Sequence, residues 1–186
     1  MKILIIDNYD SFTYNLFHYV DGLDVEIDVF RNDEIDIDQL SNYDKIILSP
    51  GPGLPKDSGL LYDVIKKTPI KTPILGVCLG MQAMAEIYQG KLYNMNHVKH
   101  GVAVNSNLSD NHYIFEGLPN TFQVGLYHSW AVELPLPNCW RPLLMSEDGI
   151  VMAMAHNQYD LVGVQFHPES VLTPHGRRMI QNFIAH

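Results

Sequence analysis

Cys78 stands where an apolar run ends and a helical pattern begins, with glycines two positions away on each side. The segment Gly76-Val77-Cys78-Leu79-Gly80 has the form Gly-x-Cys-x-Gly at a strand-to-helix junction, the cysteine counterpart of a nucleophile elbow. A very tight turn forces its central residue into a strained backbone conformation, and the flanking glycines remove side chains that would clash. The sulfur then projects above the sheet. The N–H that follows the nucleophile can hold an oxyanion. The positive end of the helix starting there favours an anion. A cysteine taken alone is more often a small core residue; the paired glycines at the junction shift the reading toward chemistry. Cys139, in Leu-Pro-Asn-Cys-Trp, has no such setting and reads as structural.

A nucleophile of this kind needs a base, and the base needs an orienting group. Among nine histidines, His167 is the informative one. It follows a buried-strand pattern in Val-Gly-Val-Gln-Phe-His-Pro-Glu-Ser. Proline biases the preceding residue toward extended backbone. Continued extension would set His167 and Glu169 on one side of the chain. The carboxylate would accept from one ring nitrogen and leave the other for Cys78. A third segment, Ser-Pro-Gly-Pro-Gly at Ser49–Gly53, also follows a strand pattern. It lacks the spacing of a phosphate loop. Its alternatives are a plain turn, or backbone N–H groups of Gly51 or Gly53 serving as a second oxyanion donor. His97 and His100 have no third ligand to complete a metal set, and no metal or other cofactor is expected.

These segments must be positioned by regular elements. Lys2–Ile6, Val25–Phe30, Lys45–Leu48, Ile74–Val77 and Leu161–Phe166 read as strands. Helical spacing follows Asp10 or Ser11, either of which can cap, and recurs over Leu60–Lys67, Leu79–Tyr88 and Arg177–Ala185. The acidic run Asn32–Leu40 reads as a solvated helix face. Alternation of strand and helix predicts an α/β fold: a mostly parallel open sheet with helices on both faces. Leu92–Met154 carries many short β-like runs, read as antiparallel strands added to one edge. The parallel pattern puts a site at the carboxyl ends of the strands, where both Cys78 and His167 fall.

The chain has 186 residues and a formal charge of −9, with 46% hydrophobic and 18% charged residues. One domain spanning 1–186 is expected. The acidic balance argues against nucleic acid or an anionic membrane as partner. Two cysteines do not make a disulfide framework. No signal-peptide pattern and no run of ~20 apolar residues is present, so a soluble, reduced, cytoplasmic protein is expected.

Gly-Val-Cys-Leu-Gly-Met-Gln, Phe-His-Pro-Glu-Ser and Ser-Pro-Gly-Pro-Gly together resemble the class I glutamine amidotransferases over nearly the whole chain. The resemblance implies a flavodoxin-like α/β fold. It implies Cys78 as nucleophile, His167 as acid and base, and Glu169 as orienter. It also implies that Gly51, Pro52, Gly53, Leu79, Gln82, Ser129 and Trp130 line a glutamine pocket.

The opening Asp-Asn-Tyr-Asp-Ser-Phe-Thr-Tyr-Asn (Asp7–Asn15) and Tyr127-His128-Ser129-Trp130 resemble a narrower group. These are the small subunits that feed ammonia from L-glutamine to chorismate-using synthases, making anthranilate or aminodeoxychorismate. A separate synthase subunit is the partner this implies. Met81 and Trp130 depart from the residues common in that group, histidine and leucine respectively. Two other readings stay open on the residues alone: a cysteine hydrolase of γ-glutamyl or peptide bonds, and a non-catalytic subunit on the same fold.

Overall fold

A computed structural model describes residues 1–186. The elements run in the order β1 (Lys2–Asp7), α1 (Thr13–Asp21), β2 (Glu26–Arg31), β3 (Lys45–Leu48), α2 (Leu61–Lys67), β4 (Ile74–Val77), α3 (Leu79–Ile87), β5 (Leu92–Leu108), β6 (Thr121–Val132), β7 (Trp140–Ser146), β8 (Val151–His156), β9 (Leu161–Val164) and α4 (Gly176–Ala185). They build a nine-stranded sheet ordered β2-β1-β3-β4-β9-β8-β7-β5-β6. Strands β2 through β9 in that order are parallel. Strands β8, β7, β5 and β6 continue the sheet antiparallel. The architecture is the expected α/β sheet with an antiparallel extension.

Two-residue alternation explains the layers. Ile3 and Ile5 of β1 pack with Leu16 and Val20 of α1 and with Met179 and Phe183 of α4. Leu4 and Ile6 point the other way, toward Leu61 and Val64 of α2 and Met81 and Met84 of α3. Both faces of the parallel half are therefore covered, which is why its strands read as continuous apolar runs. Helix α3 is buried from Leu79 to Ala85, against sheet and α2 alike. No helix is long and apolar enough to cross a membrane.

Three local expectations need correction. The β-like runs after Leu92 begin with one long strand, β5, not several short ones; its register with β6 slips between Asn94 and Lys99 and between His100 and Val102. The run Asn32–Leu40 exposes its acidic residues but buries Ile35 and Leu40, and only a 3-10 helix at Ile37–Asn42 forms there. Helix α1 starts after Phe12 without a side-chain cap. Asp10 instead accepts from the Phe12 N–H at 2.8 Å, and Asp7 accepts from the Thr13 hydroxyl at 2.8 Å.

Candidate active site

Cys78 lies at the carboxyl end of β4 with φ +49° and ψ −99°, outside the conformations an L-residue normally adopts. Strain of this kind costs about 1–3 kcal/mol and persists only where the surroundings impose it. Here the Cys78 N–H donates to the Val164 carbonyl at 2.7 Å, and its carbonyl accepts from the Gln82 N–H at 3.0 Å. The last ladder bond of β4 and the first bond of α3 thus clamp one residue from both sides. The glycines allow it. A Cβ on Gly76 would lie 2.6 Å from the Gly80 backbone, and one on Gly80 would lie 2.6 Å from Leu48 Cβ.

His167 and Glu169 are both buried, and His167 Nδ1 donates to Glu169 Oε1 at 2.7 Å. A carboxylate only accepts, so the bond fixes the proton on Nδ1. The extended path expected for this pair is not what forms. Strand β9 stops at Val164, and the Ser170 N–H folds back onto the His167 carbonyl at 3.2 Å. The pair meets across a turn because β6 holds that turn. The His167 N–H donates to the Gly125 carbonyl at 3.0 Å. The Thr173 hydroxyl bridges, donating to the His167 carbonyl at 2.6 Å and accepting from the Gly125 N–H at 2.9 Å.

The second ring nitrogen, Nε2, is buried beside Cys78 without a fully formed hydrogen bond. Such bonds are often long in unliganded sites. Burial alone would lower the His167 pKa; Cys78 and Glu169 outweigh it and raise the pKa to about 10. The imidazolium is the favoured form, which is the partner a thiolate needs. Two rings wall the imidazole edge-on: Tyr127, 4.9 Å away, and Phe12, 6.1 Å away. The Tyr127 hydroxyl also pairs with Ser170 Oγ at 3.0 Å. Both of the narrower sequence signatures therefore reach the histidine.

The other expected residues fall around this pair. Leu79 is the first residue of α3, where N–H groups have no intrahelical acceptor. Its side chain meets the glycine loop, since a Cβ on Gly51 would lie 2.6 Å from Leu79 Cδ2. Pro52 and Gly53 are exposed beyond it. The loop is tied to β1 by Asn8, whose N–H donates to Ser49 Oγ at 2.9 Å and whose side-chain amide donates to the Ser49 carbonyl at 2.8 Å. Ser129 and Trp130 are half-buried on β6. Ser129 lies opposite the first slip of β5 and has no partner there.

Gln82 is buried, and its amide nitrogen donates to the Trp130 carbonyl at 2.9 Å and to Gln165 Oε1 at 3.2 Å. Both its hydrogens are spent inside the protein, which leaves Oε1 as an acceptor. The Trp130 carbonyl also accepts from His128 Nδ1 at 2.8 Å. Met81 is fully buried against Gly163 of β9, so this departure fills core.

Sequence reasoning passed over Asn8, Thr173 and Gln165. The signal for Gln165 was its polarity within a buried apolar strand. Cys139 is half-buried, with its thiol donating to the Tyr88 carbonyl at 3.5 Å. His100 packs edge-on against Tyr127, and no three His, Cys, Asp or Glu side chains converge. A cavity of about 1070 Å³ lies elsewhere, among Tyr88, Leu136, Cys139 and His156, and none of Cys78, His167 and Glu169 lines it.

The family described as glutamine amidotransferase class-I matches residues 4–186. The chain is 45% identical to the aminodeoxychorismate synthase component 2 of Escherichia coli K12, over 98% of this chain and 98% of that protein. It is 42% identical to the aminodeoxychorismate/anthranilate synthase component 2 of Bacillus subtilis 168, over 98% and 95% respectively. A solved structure from Thermoplasma acidophilum, provisionally assigned as a component of GMP synthase, superposes with TM-score 0.90 at 27% identity, covering 100% of this chain and 92% of that one. This chain belongs to the class I glutamine amidotransferases.

Proposed function

We propose that this chain is the glutaminase subunit of a chorismate-using synthase. In this reading it hydrolyses L-glutamine through a thioester on Cys78 and hands the ammonia to a separate synthase subunit. The observation that carries it is the buried His167–Glu169 bond beside a strained Cys78, at the carboxyl ends of two adjacent parallel strands. The names of the full-length relatives support the choice of partner.

The Cys78 thiolate attacks the side-chain carbonyl carbon of glutamine. The oxyanion sits against the Leu79 N–H and an N–H of the Gly51–Gly53 loop. One such donor is typically worth ~10²–10³ in rate. His167 gives its proton to the departing nitrogen, ammonia leaves, and the thioester remains. His167, now neutral, takes a proton from water as that water attacks the thioester. Glutamate departs and the thiolate is restored. Glu169 keeps the ring oriented and stabilises its charge throughout. Gln82 Oε1, with both amide hydrogens engaged elsewhere, is suited to accept from the α-ammonium of the substrate. No cofactor takes part. The charge of −9 suits a protein partner better than nucleic acid or an anionic membrane.

The test is the Cys78→Ala complex with a synthase subunit, chorismate and either glutamine or an ammonium salt. Glutamine-dependent product should vanish while ammonia-dependent product persists. A variant complex that still used glutamine would overturn the reading. The partner is assigned by product fluorescence with the synthase subunit for anthranilate or the one for aminodeoxychorismate.

A further inference from the structure

Gln165 is fully buried, directly after β9, and touches no surface. Its amide nitrogen donates to Cys78 Sγ at 3.5 Å. Its amide oxygen accepts from Gln82 at 3.2 Å. Gln82 in turn is held by the carbonyl of Trp130, on the wall of the site. A chain of amides therefore runs from the pocket wall to the sulfur. Each amide in it has its orientation set by the one before, because an amide offers hydrogens on one side and an acceptor on the other.

We infer that Gln165 is a further residue of the hydrolytic site, whose amide holds the Cys78 thiolate, and that Gln82 fixes the orientation of that amide. The inference rests on Cys78 being the nucleophile. An N–H aimed at sulfur is stronger when the sulfur is an anion. It also comes from behind, where substrate cannot reach, so it persists through turnover. His167 supplies the mobile proton on one side and Gln165 the fixed dipole on the other. The titratable groups facing the sulfur's surroundings are His167, Glu169 behind it, and His128 across the Trp130 carbonyl.

Two variants of similar shape separate this role from packing. Gln165→Met removes the donor and the acceptor. Gln165→Glu keeps an oxygen for Gln82 but turns a second oxygen toward the sulfur. The readout is the rate of Cys78 alkylation by iodoacetamide in the full-length chain, followed on the Cys78 peptide so that Cys139 does not contribute, from pH 5 to 10.

A bond to a charged group of this kind corresponds to roughly tenfold or more. Gln165→Met should slow alkylation about tenfold near neutral pH, and high pH should restore the rate. Gln165→Glu should be slower still. A merely structural role predicts the opposite order, with Gln165→Glu the milder. Wild-type rates in both variants, or a loss equal at every pH, would overturn the inference. If either variant fails to fold, Gln82→Met provides the test. It leaves Gln165 in place but unoriented and should give a smaller loss with the same pH dependence; no loss there overturns the inference. Failure of wild-type Cys78 to react with a mechanism-based glutamine analogue would instead strike at the nucleophile itself.

Discussion

The His167 ring and the Glu169 carboxylate meet at 2.7 Å across a turn that β6 holds in place. The folded protein binds the His167 proton more tightly than the unfolded chain, since the pKa rises from 6.5 to about 10. Stabilisation from a raised pKa is complete below the unfolded value and is lost as pH climbs through the folded one. Wild-type thermal stability should therefore decline between about pH 6.5 and 10. Glu169→Gln should make that decline shallower, leaving the share that Cys78 contributes, and reduce glutaminase activity roughly 10²-fold. Melting curves across that range, beside rates at one pH, check both halves.

The strained Cys78 backbone makes a prediction about two substitutions at that position. Glycine ordinarily costs about 0.5–1 kcal/mol relative to alanine in regular structure. At φ +49° the order should reverse, because only glycine adopts that region without strain. Cys78→Gly should be more stable than Cys78→Ala by about 1 kcal/mol. Denaturant titration of the two proteins decides it.

Gly176 opens α4 against the turn that carries His167 and Glu169. A Cβ there would lie 1.7 Å from the Pro168 carbonyl oxygen. Alanine normally favours a helix, yet Gly176→Ala should destabilise by about 1–3 kcal/mol, as overpacking does. Pro168 sits between His167 and Glu169, so kcat should fall further than stability alone explains. Kinetics well below the melting temperature isolate that component.

How much was legible depends on how local each signal is. The Gly76–Gly80 spacing is a complete local instruction, because the clash it avoids lies within the same turn and the adjoining strand. The parallel strands were equally legible, since burial on both faces makes them continuous apolar runs. The path of His167-Pro168-Glu169 was not. Proline favours extension, but the Gly125 backbone on β6, together with Thr173 and the close approach of Gly176 further along the same segment, imposes a turn. Gln165 was visible only as a polar residue in an apolar strand. Its partners, Gln82 and Cys78, become neighbours only once β9 lies beside β4. The Leu92–Met154 stretch reads as short runs because Pro, Asn, Asp and Gly punctuate it, and in β5 one such break is Gly101, at φ +70°. In the sheet it becomes an irregularity that the hairpin absorbs.

Helix α3 rests on the sheet through contacts too close for side chains: Gly76 beneath Gly80, Gly80 on Leu48, and Gly163 beneath Met81. A helix seated this closely, and buried along most of its length, has no room to pivot. The backbone that carries the sulfur is therefore held by packing on the sheet. Any fitting to a substrate or a partner subunit falls to segments outside α3, such as the exposed Pro52 and Gly53 and the register slip of β5 opposite Ser129.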